Sequence, residues 1–314
     1  MEFGRWVRVV VPATSANLGP GFDALGLALD WCEVVRLRLR PEGVRVQVTG
    51  TAADQVPRDE TNLAVRGARA VLAALGVASV GLEVELSVEL PVGRGLGSSA
   101  AAVVGGAMAA NALCGLSLGN EEIVEVAARI EGHADNVAPA VLGGVCVCAP
   151  RTGSARTTWA LRLDPPSKVF ALLAIPNVSL PTSVARAALP GRVAFRDAVA
   201  NVQRCALLVA ALSLGRLDVL ADATLDCLHQ PYRLPMVPGL GECIVRARQA
   251  GALGAFLSGA GSTVLALVRD ERAVLDRVRA ALADSLLGVE GGGSLRQVRL
   301  RSGGAQVSYE TADA

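Results

Sequence analysis

Residues 91–99 read Pro91-Val92-Gly93-Arg94-Gly95-Leu96-Gly97-Ser98-Ser99 and run straight into Ala100, Ala101 and Ala102. Upstream, Gly81–Leu90 alternates apolar and polar residues as a half-buried strand does. Downstream, small apolar residues predict a helix to about Cys114, stopped by Gly115. Strand, glycine-rich turn and helix in that order make an anion site. Glycines let the backbone approach closely, successive N–H groups converge, and the helix N-terminus adds positive potential. Ser98 and Ser99 are natural helix caps, and either hydroxyl is a hard oxygen ligand for a metal ion.

A turn that merely caps a helix has the same composition, so the loop needs its context. The chain contains 29 arginines and one lysine, Lys168. A Gly-Lys-Ser/Thr phosphate loop is therefore absent, and Lys168 lacks the Val-Ala-x-Lys setting of a protein kinase strand. The dinucleotide fingerprint Gly-x-Gly-x-x-Gly fails because the third glycine falls one residue early. Gly115-Leu116-Ser117-Leu118-Gly119 formally matches a nucleophile elbow, but it follows a helix rather than a strand.

Wider composition narrows the class. With 314 residues, 52% hydrophobic, the chain can bury a large core or two smaller ones, and wholesale disorder is excluded. Thirty basic residues against 29 acidic ones leave a net charge of +1, which argues against a nucleic-acid binder. Neither a signal peptide in Met1–Val11, which holds Glu2, Arg5 and Arg8, nor a run of 18 apolar residues is found, so a cytoplasmic protein without a membrane span is expected. Seven cysteines, an odd number, read as reduced and mostly buried. Cys146 and Cys148 share a strand face, but two histidines in the whole chain give a metal site there little support. Asn177-Val178-Ser179 matches a glycosylation acceptor, which has no meaning without secretion.

Along the chain, strands are expected at Trp6–Val11 and Glu33–Leu39, with Val44–Val48 pairing with one of them. Pro12–Asp23 between them reads as a shaped loop. Helices are expected at Asn62–Leu75 and Glu121–Glu131, and a strand at Gly143–Ala149. Residues 150–168, including Ser154, are the best boundary. Beyond it come a strand at Val169–Ile175, helices near Ser183–Ala188 and Val199–Leu214, and a polar connection around His229–Gly241. Helices at Ile244–Ala250 and Ala273–Leu282 flank a glycine-rich turn between apolar runs in Ala255–Val268. A hairpin of Leu295–Leu300 with Gln306–Tyr309 closes the chain. Strands and helices mix without regular βαβ alternation, which predicts an α+β fold divided at 1–166 and 167–314.

Together these segments resemble the GHMP kinase superfamily. Pro91–Ala101 resembles its Pro-x-x-x-Gly-Leu-Gly-Ser-Ser-Ala phosphate motif. Ser258-Gly259-Ala260-Gly261-Ser262-Thr263 resembles its C-terminal glycine motif, with Ala260 and Ser262 where serine and proline are usual. Pro12–Asp23 with Gly26-Leu27-Ala28-Leu29, Glu131–Pro139, Ser179–Pro190 and Leu228–Arg233 are similar to the homoserine kinases within that superfamily. The resemblance implies a ribosomal-protein-S5-domain-2-like N-terminal domain and a ferredoxin-like C-terminal domain. It further implies ATP-dependent phosphorylation of the L-homoserine hydroxyl in threonine biosynthesis, with Mg²⁺.

The same resemblance places ATP on Pro91, Val92, Gly93, Arg94, Gly95, Leu96, Gly97, Ser98, Ser99, Ala100 and Ala101, with Gly259 and Gly261, and Asn62 near the adenine. Ser99 and Glu131 would take the metal, Glu125 being the alternative. Asn17, Asp23, His133, Asn136, Thr182, Arg186 and Arg233 would bind the amino acid. Asp23 suits its ammonium, and the two arginines suit its carboxylate, since a guanidinium fork matches a carboxylate better than a lysine does. Asp135 and Arg186 are the candidate catalytic residues, Asp135 with a modest role, and His229 is expected to orient its loop. Two alternatives stay open: a kinase for another carboxylated alcohol, mevalonate- or shikimate-like, and a non-catalytic ligand sensor. No nucleic-acid or membrane partner is expected, and a homodimer is compatible with the resemblance.

Overall fold

The computed structural model describes residues 4–77, 80–115, 117–153 and 157–310. The first sheet is built on a long antiparallel pair, β1 (Val7–Ala16) and β2 (Leu25–Arg40). Their inward rows, Val7, Val9 and Val11 against Val35, Leu37 and Leu39, are almost wholly buried. β1 does not stop at Val11. It continues through Pro12–Ala16 with a register shift between Pro12 and Ala13, where a residue without an N–H interrupts the ladder least. Only the stretch from Asn17 onward forms a loop.

β3 (Val44–Thr49) pairs with neither strand expected of it. Helix α1 (Leu63–Ala74) carries the chain across to β4 (Gly81–Ser87), which lies parallel to β3. Val44, Val46 and Val48 thereby stand beside Leu82, Val84 and Leu86, one apolar row against another. Helix α2 (Ser98–Leu113) is apolar all round because it is buried all round, and its small residues bring α1 very close. A Cβ on Gly67 would strike the Val103 carbonyl, and one on Gly106 would strike the Ala64 carbonyl. Helices α3 (Asn120–Glu131) and α4 (Val137–Leu142) follow. β5 (Val145–Pro150) then pairs with β2 and with β6 (Thr158–Leu163). β6 lies inside the expected boundary segment, whose Ser154 falls outside the described residues, as does Leu116 of the elbow-like stretch.

The second sheet begins with β7 (Val169–Pro176). Helices α5 (Thr182–Ala187), α6 (Phe195–Leu214), α7 (Leu220–Ala223) and α8 (Gln230–Arg233) come next. The expected polar connection is thus partly helical, and His229, Gln230 and Arg233 in it are buried. Then follow α9 (Leu240–Gln249), β8 (Gly254–Leu257), β9 (Val264–Arg269), α10 (Arg272–Leu287) and β10 (Gly293–Arg299). The strand order β10-β7-β9-β8, with α9 and α10 as the two helices, is the ferredoxin-like arrangement. α6 is long and apolar enough to cross a membrane. Here it packs on the protein: Leu208, Ala211 and Leu212 are buried, and buried Asn201 donates to the Pro20 carbonyl at 2.7 Å.

The closing hairpin does not form. β10 pairs with β7, whereas β11 (Gln306–Tyr309) returns to the first sheet and pairs with Val7–Val10. Local alternation around Ser302-Gly303-Gly304 marks two strands but does not choose their partners. The glycine turn is instead pressed on α4, where a Cβ on Gly304 would meet the Val141 carbonyl. The architecture is α+β with two sheets, and the phosphate-type loop lies where they meet.

Candidate active site

Gly95 and Gly97 both have left-handed backbones, φ 74° and 73°, and Gly97 is the N-cap of α2. A Cβ on Gly95 would collide with the Ser258 carbonyl oxygen, and one on Gly97 with the Thr14 hydroxyl. Only glycine satisfies both the conformation and the approach. The Thr14 N–H donates to the Leu96 carbonyl at 3.1 Å, and the Thr263 N–H to the Arg94 carbonyl at 3.3 Å. The Leu180 N–H reaches the Gly93 carbonyl at 3.0 Å. The second glycine turn therefore braces the first from behind. In front, the loop and the start of α2 form one wall of a cleft of about 130 Å³.

Ser99 donates its hydroxyl to Glu131 Oε1 at 2.6 Å. Glu125 points elsewhere: it accepts the Thr157 N–H at 3.0 Å and hydroxyl at 2.6 Å, and pairs with Arg129 at 3.0 Å. Of the two candidate acids, Glu131 faces the loop. One hydroxyl and one carboxylate beside an anion-binding loop suit Mg²⁺, which takes one or two protein oxygens and completes its shell with phosphate and water.

Ser98 turns the other way and donates to Glu33 Oε1 at 2.8 Å. Burial pushes the Glu33 carboxyl up to about 8. Sequence reading passed over this residue. Its strand parity with Val35 and Leu37, which puts an acid on an inward face, was the available signal. Asn62 is fully buried and caps α1. Its Oδ1 accepts the Ala64 N–H at 2.9 Å, and its Nδ2 donates to the Pro57 carbonyl at 2.7 Å. With Val56, Pro57, Leu63, Val88 and Val92 it lines a mainly apolar pocket that shares Gly93, Ser98 and Ser99 with the cleft. Pro91, Gly93–Ala100 and Gly259 line the cleft itself. Val92 faces only the apolar pocket, Ala101 is enclosed within α2, and Gly261 sits behind the loop.

Asn17, Asp23, His133, Asp135, Asn136, Thr182, Arg186 and Arg233 all reach the same cleft. Asn17 and Asp23 hold left-handed conformations, φ 71° and 56°. Asn17 supports them, accepting the Asp23 N–H at 3.0 Å and donating to the Gly259 carbonyl at 2.8 Å. Asp23 and Arg186, expected to act separately, form a forked ion pair. His133 Nδ1 lies 2.7 Å from Asp135 Oδ1, and that hydrogen bond holds the imidazole above its ordinary value against the opposing effect of burial. Thr14 donates to Asn136 Oδ1 at 2.8 Å.

Arg233 is only 2% exposed and has no carboxylate at ion-pair distance among the described residues. Burial, together with the nearby Arg186 charge, pulls its guanidinium below the ordinary value. Asp23, Asp226 and Asp135 act on it from further off, and a buried cation that faces a cleft with no carboxylate in direct contact suits an anion. Phe22, which sequence reading did not single out, lies under both guanidinium groups, 5.5 Å from that of Arg186 and 5.2 Å from that of Arg233.

Residues 62–144 match the GHMP kinases N terminal domain, and residues 208–284 match the GHMP kinases C terminal domain. A homoserine kinase of Moorella thermoacetica is 46% identical over 83% of this chain and 87% of its own length. One of Carboxydothermus hydrogenoformans is 43% identical over 85% and 87%. The crystal structure of homoserine kinase from Cytophaga hutchinsonii superposes with a TM-score of 0.86 at 31% identity, covering 96% of this chain and 97% of that one.

Proposed function

The chain belongs to the GHMP kinases and, within them, to the homoserine kinases, and on that premise we propose how its residues divide the work of phosphorylating the side-chain hydroxyl of L-homoserine with ATP. The reaction belongs to threonine biosynthesis. The observation that carries the assignment is one cleft that joins an anion-binding glycine loop to a carboxylate and two guanidinium groups.

The loop at 91–101 and the N-terminus of α2 take the phosphates, and the apolar pocket beside Asn62 takes the base. Asp23 receives the substrate ammonium, and Arg186 and Arg233 its carboxylate. Asp23 and Arg186 exchange each other for the opposite ends of the zwitterion, so each of the two keeps a counter-charge. Asn17, His133, Asn136 and Thr182 complete the polar shell around the amino acid. The hydroxyl oxygen attacks the γ-phosphorus, the bond from that phosphorus to the β,γ-bridging oxygen breaks, and ADP leaves with the electron pair. Phosphoryl transfer through a loose transition state is served mainly by positioning and charge neutralisation, to which Arg186 contributes. Asp135, oriented by His133, takes the hydroxyl proton in a secondary role. Ser99 and Glu131 would hold Mg²⁺, which neutralises charge on the transferring phosphates.

Mevalonate- and shikimate-like acceptors carry no ammonium, and Asp23 favours the amino acid over them. A sensor without activity would have no need of the Ser99–Glu131 pair at the phosphate loop. Three further readings belong to the same proposal. The chain divides near 166/167, with β11 crossing back to the first sheet. It works in the cytoplasm. It forms a homodimer, supported by apolar α6 residues left 85% (Phe195) and 70% (Val202) exposed. A coupled ADP-release assay over a panel of amino-acid and hydroxy-acid alcohols tests the function. Homoserine should give the highest kcat/KM; turnover of another alcohol with none on homoserine would overturn the reading.

A further inference from the structure

We infer that His229 is a positioning residue that sets the separation between the two ends of the amino-acid site, tying the loop that carries Asp23 to Arg233. The inference rests on the assignment of Asp23 and Arg233 to the substrate ammonium and carboxylate. His229 is fully buried, and its Nε2 lies 2.8 Å from the Gly19 carbonyl oxygen. A carbonyl only accepts, so Nε2 carries the proton. Nδ1 is then a bare lone pair, and it accepts from Arg233 Nη1 at 3.2 Å. The same ring stacks on Phe22 with centroids 5.4 Å apart. Gly19 and Phe22 both belong to the loop between Asn17 and Asp23. One rigid imidazole thus touches the ammonium-binding loop at two points and the carboxylate-binding arginine at a third.

Asp226 fixes the ring's own backbone. Its Oδ2 accepts the N–H groups of His229 at 3.0 Å and Gln230 at 2.7 Å, and its Oδ1 that of Leu228 at 2.9 Å. The charged groups that act on the ring are Asp226, with Oδ2 3.6 Å from Nε2, Arg233 and Asp23. A proton on Nδ1 would point at the guanidinium donor of Arg233, so the ring stays neutral, and burial favours the same state. The ring therefore acts as a spacer. It neither donates to substrate nor shuttles protons; it aims a buried cation.

The test replaces His229→Leu, which keeps bulk and removes both hydrogen bonds, and His229→Gln, which returns one donor and one acceptor. The KM for L-homoserine should rise about 10- to 100-fold in the leucine variant, as for the loss of a hydrogen bond to a charged group. The KM for ATP should stay within about threefold, and glutamine should recover part of the loss. For 3-aminopropan-1-ol, which lacks the carboxylate, kcat/KM should fall far less than for L-homoserine in the leucine variant. Parallel losses for both substrates and for the aminoalcohol would mean a merely structural residue and overturn the inference. Wild-type protein without homoserine turnover would instead overturn the functional reading. A measurement that needs no variant is ¹⁵N NMR of histidine-labelled wild-type protein, which has only two histidines to assign. His229 should show the Nε2–H tautomer and stay neutral down to below the ordinary imidazole value, and an Nδ1–H tautomer or protonation at or above that ordinary value contradicts the geometry.

Discussion

Arg186 grips Asp23 through two parallel hydrogen bonds, Nη1 to Oδ2 at 2.9 Å and Nη2 to Oδ1 at 2.8 Å, across 163 residues of sequence. The side chains remain 45% and 37% exposed, so the pair sits at the cleft and not in the core. Ion pairs this accessible contribute little to stability and open readily. In the free protein the two groups neutralise each other. A zwitterion presents the same two charges in reverse order and can replace both partners at once.

Asp23→Ala should therefore damage recognition of the ammonium and leave the rest of the acceptor site working. The kcat/KM for L-homoserine should fall about 10- to 100-fold, the loss of a charge-assisted hydrogen bond. For 4-hydroxybutyrate, which has the hydroxyl and carboxylate but no ammonium, the change should stay under about threefold. Steady-state kinetics on the two acceptors checks this, and equal losses on both would remove Asp23 from the ammonium site.

Glu33 predicts a pH dependence of stability. Its folded value of about 8 lies above the ordinary 4.5, so between those values the folded protein holds a proton that the unfolded chain has released. The stabilisation is complete at acid pH and is lost as pH rises through about 8. Against Glu33→Gln, wild type should weaken by up to about 1.4 kcal/mol per pH unit across this window. Urea unfolding at several pH values from 5 to 8 reads the difference; parallel curves for the two proteins would mean the carboxyl is not shifted.

Gly95→Ala probes the contact between the two glycine turns. The added methyl collides with the Ser258 carbonyl and is strained at φ 74°, so the loop must leave its brace. Turnover should fall at least about 100-fold with the KM for ATP raised, since small displacements of a phosphate loop are amplified in positioning. Wild-type kinetics in this variant would show that the brace does not shape the phosphate site.

Asp135→Asn should lower kcat by about 10-fold and leave both KM values close to wild type, because most of the barrier reduction comes from positioning and charge. Abolished turnover with intact affinities would make Asp135 an obligatory base.

Much of this site is legible in one dimension because its parts are local. The glycine loop, Asn17, Asp23 and the Glu131–Asn136 segment each sit on a continuous motif. Ser99 and Glu131 meet because α2 and α3 pack against each other, and that Glu125 faces away from the loop became visible only with its ties to Thr157 and Arg129. Pairings between distant segments were illegible. β3 and β11 carry ordinary alternation, which marks a strand without naming its neighbour. Glu33 and Phe22 were overlooked for another reason: each does its work through a partner, Ser98 or a guanidinium, that no local pattern supplies.

³¹P NMR of wild-type protein with ATP, Mg²⁺ and L-homoserine should show one phosphomonoester on the homoserine side-chain oxygen for every ADP formed. ADP appearing with inorganic phosphate and no homoserine ester, or an ester formed only on a different alcohol, would contradict the account.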